Sequence, residues 1–277
     1  MPELPEVETT KNILAPWVEG QEINQIIVRN PHLRVPVTND ILRLKGQRIV
    51  KVMRRAKYLV IELLGKGYLV VHLGMTGYFK VLTSACPPGK HDHIDLILQN
   101  GTLLRFNDSR RFGSWQYGVS LEAVPGFSTL GVEPLSADFS VAYLIDKLKN
   151  KKTAIKAALM DGHIVVGIGN IYANEALFWA RIHPTTPAGE INQERLNRLI
   201  REIKRVLVEA IAAGGCTIKD FKGPNGKIGC FAQDLYVYGR KGKPCRLCGA
   251  SIHKEKLSGR ASFFCPIHQK LEKQADR

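Results

Sequence analysis

His93-Ile94-Asp95-Leu96-Ile97-Leu98-Gln99-Asn100-Gly101-Thr102-Leu103-Leu104-Arg105-Phe106-Asn107 decides how the first half of the chain folds. Two runs rich in branched residues flank Asn100-Gly101, a strong short-range hairpin signal. Upstream, Glu22–Val28, Arg48–Met53, Tyr58–Leu64 and Tyr68–Leu73 have the same texture, and Gly65-Lys66-Gly67 tightly connects the last two. Short strands punctuated by turn residues over 22–119 predict an antiparallel β-sandwich or barrel. Before them, Val7, Ile13, Leu14 and Trp17 fit one face of a helix over Pro5–Trp17, with Gly20 as its stop.

Downstream the texture changes. Pro125-Gly126, Gly131 and Pro134 mark 118–137 as an interdomain linker. Helical patterns follow over Val141–Lys149, Ala154–Asp161, Tyr172–Ala180 and Gln193–Ala213, and Gly214-Gly215 ends the last. Lys219–Gly229 has the composition of a mobile loop, and 234–270 returns to short strands. The division expected is 2–118 for the β domain, 119–137 for the linker, 138–233 for the helical domain, 234–270 for a finger and 271–277 for a disordered tail.

The 277 residues carry 40 Lys+Arg against 25 Asp+Glu, a net charge of +15, which points to a polyanionic partner. The sequence has no long apolar span and its start lacks a signal-peptide layout, so a cytoplasmic protein without a membrane partner is expected. In a reducing compartment its six cysteines are thiols or metal ligands. Cys245-x-x-Cys248 and Cys265-x-x-His268, sixteen residues apart, have the spacing of tetrahedral zinc on paired knuckles. Four protein ligands leave no open position, so the expected Zn2+ is structural. Lys254, Lys256 and Arg260 lie between the pairs, where they could meet phosphates.

Gly167-Ile168-Gly169-Asn170 feeds directly into a helix, with Asn170 at the expected N-cap. Such a helix start can hold a phosphate, and Lys151, Lys152 and Lys156 could add contacts. A dinucleotide fingerprint is excluded because a helix, not a strand, precedes the turn. Met75 and Arg110-Arg111-Phe112-Gly113 could enter a base stack, although Met75 and Phe112 taken singly fit a core. His91 and His93 alternate at strand spacing, which suits packing better than metal binding. Lys57 opens a strand after a basic turn.

The start of the chain, Met1-Pro2-Glu3-Leu4-Pro5-Glu6-Val7-Glu8, concentrates carboxylates in a basic protein. Loss of Met1 would give Pro2 a free secondary amine, and α-amino groups titrate near ~7.7–8.0. Such an amine can attack a carbonyl-like carbon and form a cationic iminium, with Glu3 and Glu6 near enough to move protons. The same residues also make a helix start, in which Pro5 opens the first turn and the glutamates favour its dipole.

Over residues 2–270 the chain resembles the formamidopyrimidine-DNA glycosylase family. The resemblance rests on Pro2-Glu3-Leu4-Pro5-Glu6-Val7-Glu8-Thr9, Arg55-Ala56-Lys57-Tyr58-Leu59, His72-Leu73-Gly74-Met75, Lys90-His91-Asp92-His93, Arg110–Gly113, Gly167–Tyr172 and the finger, in that order. It implies a multidomain α+β protein: an N-terminal antiparallel β-sandwich with an N-terminal helix, a helix–two-turns–helix domain and a β-hairpin zinc finger. It further implies a monomer that excises oxidised purines (8-oxoguanine, formamidopyrimidines) from double-stranded DNA and cleaves the abasic site by β,δ-elimination. By motif, Pro2 is then the Schiff-base nucleophile, Glu3 the general acid, Lys57 the proton donor in β-elimination and Arg260 the residue serving δ-elimination. Met75, Arg110 and Phe112 fill the gap left by the extruded base, while His91, Arg110, Lys151 and Asn170 bind DNA. Cys245, Cys248, Cys265 and His268 hold the metal, with His268 where the family pattern has a fourth cysteine. The alternatives are an endonuclease VIII-type enzyme for oxidised pyrimidines and a non-catalytic zinc-finger DNA-binding protein.

Overall fold

The computed structural model describes residues 1–65, 67–84, 86–215 and 235–271; Cys216, the Lys219–Gly229 loop and the tail beyond Leu271 lie outside the described residues. The described chain forms two units, one of Met1–Thr129 with 211–215 and one of Leu130–Ala210 with 235–271.

The first unit begins with α1 (Leu4–Val18), followed by β1 (Ile23–Val28), β2 (Ile49–Arg55), β3 (Tyr58–Leu63), β4 (Tyr68–His72), β5 (Tyr78–Leu82), β6 (Asp92–Leu98), β7 (Leu103–Asn107) and β8 (Ser114–Gly118). The strands make two four-stranded antiparallel sheets, ordered β1-β6-β7-β5 and β2-β3-β4-β8. Ile94, Leu96, Leu104 and Phe106 from one sheet share a core with Leu59, Ile61, Leu69 and Val71 from the other. Phe79, Phe106 and Trp115 meet there with ring centroids 5.5–5.8 Å apart. The β6–β7 hairpin closes as Asn100-Gly101 predicts, with Gly101 left-handed at φ 83 and Asn100 Oδ1 accepting the Thr102 N–H at 3.0 Å. Two edge strands, β5 and β8, were not singled out from the sequence.

α1 lies along β2, where Arg54 Nε donates to Glu8 Oε2 at 2.7 Å and the Val52 N–H donates to Glu19 Oε1 at 2.8 Å. The stretch read as a linker divides between the units. Val124 and Phe127 are buried in the first, with the Phe127 ring 5.0 Å from that of Tyr58. In the second, the Gly131 N–H donates to Gly162 O and Val132 bridges Val165.

The second unit contains α2 (Val141–Leu148), α3 (Ile155–Leu159), α4 (Asn170–Ala180), α5 (Gln193–Ala212) up to Ala210, and a hairpin of β9 (His253–Leu257) and β10 (Arg260–Phe264). α4 is central, and its residues Tyr172 to Phe178 are all buried. That explains why apolar periodicity hardly marks it: a helix packed on every side needs no polar face. The finger groups with the helices in this unit. Glu175 Oε1 accepts the N–H groups of Val237 and Tyr238, Oε2 accepts that of Tyr236, and Asn174 Oδ1 accepts that of Phe263 at 2.7 Å. Lys156, expected to reach phosphate, is 1% exposed, and its Nζ donates to Ala261 O at 2.9 Å and Ser262 Oγ at 2.8 Å. Its cation ties α3 to β10.

Buried N–H groups that lose their acceptor cost about 1–3 kcal/mol each. Glu175→Ala is therefore expected to lower stability by roughly 3–5 kcal/mol in urea unfolding, with relaxation limiting the sum, and Glu175→Gln by less because one acceptor oxygen remains. Equal stability of Glu175→Ala and wild type would refute this account of how the finger is attached.

Candidate nucleic-acid interface and metal centre

Chain ends usually fray, but here the start is clamped. Glu3 is the N-cap of α1 and forms a reciprocal capping box with Glu6, the Glu3 N–H donating to Glu6 Oε2 at 2.8 Å. Both carboxylates are 3% exposed, and Pro2, just ahead of them, is half-buried. Gly215, left-handed at φ 80, packs its backbone against Glu6: a Cβ there would lie 3.0 Å from Glu6 Oε1.

Lys57 occupies the two-residue turn between the paired Arg55 and Tyr58, after a buried Ala56 held at φ 54. Left-handed backbone is uncommon for alanine, and such strain persists where the surrounding structure imposes it. His72 borders this turn and was not assigned a role from sequence beyond its place in a motif. Burial, together with the charges of Lys57 and Arg34, depresses its pKa to about 4. His72 is therefore neutral at pH 7, and because Nδ1 accepts the Gly74 N–H at 2.9 Å, Nε2 carries the proton.

Met75 and Phe112, which taken singly fit a core, are 40% and 39% exposed. The Arg110 guanidinium stacks 4.7 Å from the Phe112 ring centroid. A residue that sequence reasoning missed holds these loops together: Asp108, with 0% exposure. Its Oδ1 accepts Thr76 Oγ1–H at 2.5 Å and the Arg110 N–H at 3.3 Å, and its Oδ2 accepts the Gly113 N–H at 2.7 Å. Its N–H donates to His91 O at 3.0 Å, and its carbonyl meets His93 Nε2 at 2.8 Å. The carboxylate thus joins Thr76, Arg110 and Gly113, which flank or belong to the loops of Met75 and Phe112, and the main chain of the same residue adds His91 and His93. Gly74 fits the same construction, since a Cβ would come within 2.4 Å of Phe112 C. His93 is buried in this packing while His91 is half-buried.

In the second unit Lys151 is exposed, and Arg260 is exposed as the first residue of β10. Asn170 is the first helical residue of α4 and not its cap; Gly169 takes the cap position with extended φ/ψ. A glycine there contributes no side-chain acceptor to the helix start.

Cys245, Cys248, Cys265 and His268 bring their ligand atoms within 4.8 Å of one another. The Cys248 and Cys265 sulfurs are 3.6 Å apart, close to the about 3.8 Å edge of a tetrahedron with Zn–S bonds of ~2.3 Å. His268 Nε2 is buried without a hydrogen-bond partner, a cost that a bound cation would remove. Three sulfurs and an imidazole suit one structural zinc, with every tetrahedral position closed by protein. Ser258 and Gly259 turn the β9–β10 hairpin with φ of 47 and 77.

Exposed guanidinium groups and an aromatic ring on braced loops suit a partner with phosphates and bases, so the class is a zinc-finger nucleic-acid-binding protein. Residues 1–115 match the formamidopyrimidine-DNA glycosylase N-terminal domain, 130–222 its H2TH domain, and 242–266 a zinc finger found in FPG and IleRS. The chain belongs to the formamidopyrimidine-DNA glycosylase family. It is 51% identical over 270 residues to the formamidopyrimidine-DNA glycosylase of Photobacterium profundum, covering 98% of this chain and all of that one. Among solved structures, the MutM (Fpg) protein of Thermus thermophilus aligns with a TM-score of 0.87 at 39% identity, over 98% of this chain and 100% of that one. The Lactococcus lactis Fpg in complex with abasic-site DNA aligns with a TM-score of 0.90 at 33% identity, over 97% and 100%. No helix among the described residues is long and apolar enough to cross a membrane.

Zinc analysis should find one zinc per chain. His268→Ala should lose it to a chelator faster than wild type, His268→Cys should retain it, and unweakened occupancy in the alanine variant would exclude the imidazole as a ligand. His72 generates a pH effect. Its folded pKa of about 4 lies below the ordinary 6.5, so the unfolded chain binds the extra proton first and stability falls as pH drops from 6.5 towards 4. His72→Asn should flatten that part of the stability profile, as read by denaturant unfolding at several pH values.

Proposed function

We propose that this chain is a bifunctional base-excision repair enzyme that removes oxidised purines from duplex DNA through a Schiff base on Pro2 and then cuts the abasic site. Membership of the family supports the reaction class, and the Lactococcus relative is seen with DNA containing either an abasic site or Fapy-dG. The observation that carries the mechanism is the clamped chain start, where a buried carboxylate caps the helix immediately after Pro2.

With Met1 removed, the Pro2 nitrogen attacks C1′ of the extruded nucleotide as the base departs with its bonding pair. Glu3 acts as general acid, and the capping box fixes its side chain on the residue that follows that nitrogen. Opening of the sugar ring leaves an iminium, which acidifies the C2′ hydrogens, so the 3′ phosphate leaves by β-elimination with Lys57 as proton donor. Arg260 serves the following δ-elimination at the 5′ phosphate. Met75, Arg110 and Phe112 occupy the gap in the duplex, and His91, Lys151 and Asn170 hold its backbone. The structural zinc supplies no chemistry to these steps. The protein acts in the cytoplasm as a monomer.

Borohydride should trap a covalent complex on an 8-oxoguanine duplex, with the attachment mapped to Pro2, and protein retaining Met1 should form none, because its Pro2 nitrogen is an amide. Glu3→Gln should lower base excision by about 10²–10⁴-fold while still cutting a preformed abasic site. Failure of the mature protein to trap would sink the lyase reading, and equal or better cutting of a thymine-glycol duplex would move it to the pyrimidine branch.

A further inference from the structure

The amine and the elimination proton donor lie on different elements, Pro2 ahead of α1 and Lys57 in the β2–β3 turn. One pair of side chains joins those elements. Glu8, on the second turn of α1, accepts the Arg54 Nε–H on Oε2 at 2.7 Å. The same guanidinium donates from Nη1 to Ala56 O at 3.0 Å, the carbonyl of the peptide that links Ala56 to Lys57. Arg54 thus touches α1 with one donor and the backbone of the Lys57 turn with another. A planar guanidinium holds its donors in a fixed fork, so it sets both acceptors at once.

Exposed ion pairs contribute little, but the Arg54 and Glu8 side chains are only 10% and 19% exposed. Burial pushes the Glu8 carboxyl up, and hydrogen bonds from Lys11 and Arg54 outweigh it and hold Glu8 below the usual carboxylate range. Lys11 occupies Oε1, which leaves Oε2 to Arg54. The turn needs such a brace. Ala56 stands at its first central position with φ 54, where primed hairpin turns place Gly, Asn or Asp. A left-handed alanine persists only while its surroundings impose it. The chain start has no such dependence on Arg54. Glu3 and Glu6 close their own capping box, and Leu4 and Val7 are fully buried behind them.

We propose that Arg54, oriented by Glu8, is a positioning residue for β-elimination: it fixes the turn that carries Lys57 against the helix that follows Pro2. This rests on the reading of Pro2 as Schiff-base nucleophile and Lys57 as proton donor. Breaking the brace leaves the amine and its acid in place and displaces the donor. Base excision then survives while strand cleavage slows.

The test follows release of free 8-oxoguanine and cutting of the strand separately, in single turnovers of the mature protein on one duplex. Misplacing a reacting group by about 1 Å costs up to ~10²-fold. Arg54→Ala should therefore slow cutting about 10- to 10²-fold, with base release within about twofold of wild type and the borohydride-trapped fraction at or above it. Glu8→Gln, which keeps the shape and one acceptor oxygen, should show a smaller loss at the same step and carries the comparison if Arg54→Ala does not fold. Arg54→Lys should recover stability in urea through its pairing with Glu8 but not the cutting rate, because a point charge lacks the fork. In a Lys57→Ala background Arg54→Ala should slow cutting no further, a non-additivity that a purely structural role would not produce. Unchanged cutting, equal losses in base release and cutting, or additive losses in the double variant would overturn the proposal and leave Arg54 as a plain anchor of α1. If Lys57→Ala alone cuts at the wild-type rate, the assignment of Lys57 fails and the brace with it. If wild type forms no trapped adduct, it is the Schiff-base reading that fails.

Discussion

A carboxylate taken out of water must be surrounded by donors, and this chain uses that requirement three times to fix backbone that would otherwise move. Glu3 and Glu6 satisfy the start of α1 and so immobilise the end of the chain. Asp108 gathers N–H and O–H groups from the loops that carry Met75, Arg110 and Phe112. Glu175 accepts three consecutive backbone N–H groups and fastens the finger segment to α4. In each case the side chain satisfies donors that no strand or helix ladder reaches. The protein's few buried acids thus set the positions of its many exposed bases.

The hold of the helical region on the finger has a related consequence. Zinc organises the two knuckles, but Lys156, Asn174 and Glu175 determine where the hairpin sits on the helices. Three successive residues of β10, Ala261, Ser262 and Phe263, are bonded to α3 or α4, directly after Arg260. Local metal geometry and placement of the hairpin are therefore separate constraints.

Features set by neighbouring residues were legible in the sequence. The β6–β7 hairpin, the capped start of α1, the four ligands and the amphipathic α5 all follow from spacing within a short window. What depends on residues far apart was not legible. Asp108 looks like an ordinary acid before a turn, and only folding reveals that it joins the loop after β4 to the loop after β7. Lys156 reads as a surface cation because nothing nearby in sequence shows the strand more than one hundred residues away that accepts its protons. Met75 and Phe112 read as core because hydrophobicity alone carries no information about exposure. The N-cap of α4 was misplaced by one residue, a glycine having no side chain to announce it.

Net charge is likewise only a total, and the structure sorts it. Arg105 makes a bidentate pair with the buried Asp95, Arg29 joins the same carboxylate, and Lys80 bonds Asp92. These cations brace the outer face of one sheet, and Asp92 and Asp95 are held below the usual carboxylate range because donors from Asn107, Gly89 and Lys80, and from Arg105 and Arg29, outweigh the opposing effect of burial. Along α5, Arg205 pairs with Glu202 and Glu209. Among the described residues Arg34, Arg110 and Arg111 have no carboxylate partner, and all three line one concavity. Like charges held together on braced loops raise the free energy of the unbound protein, and a polyanion lowers it on arrival. The same excess scattered over the surface would be screened within about 10 Å and would give attraction without register.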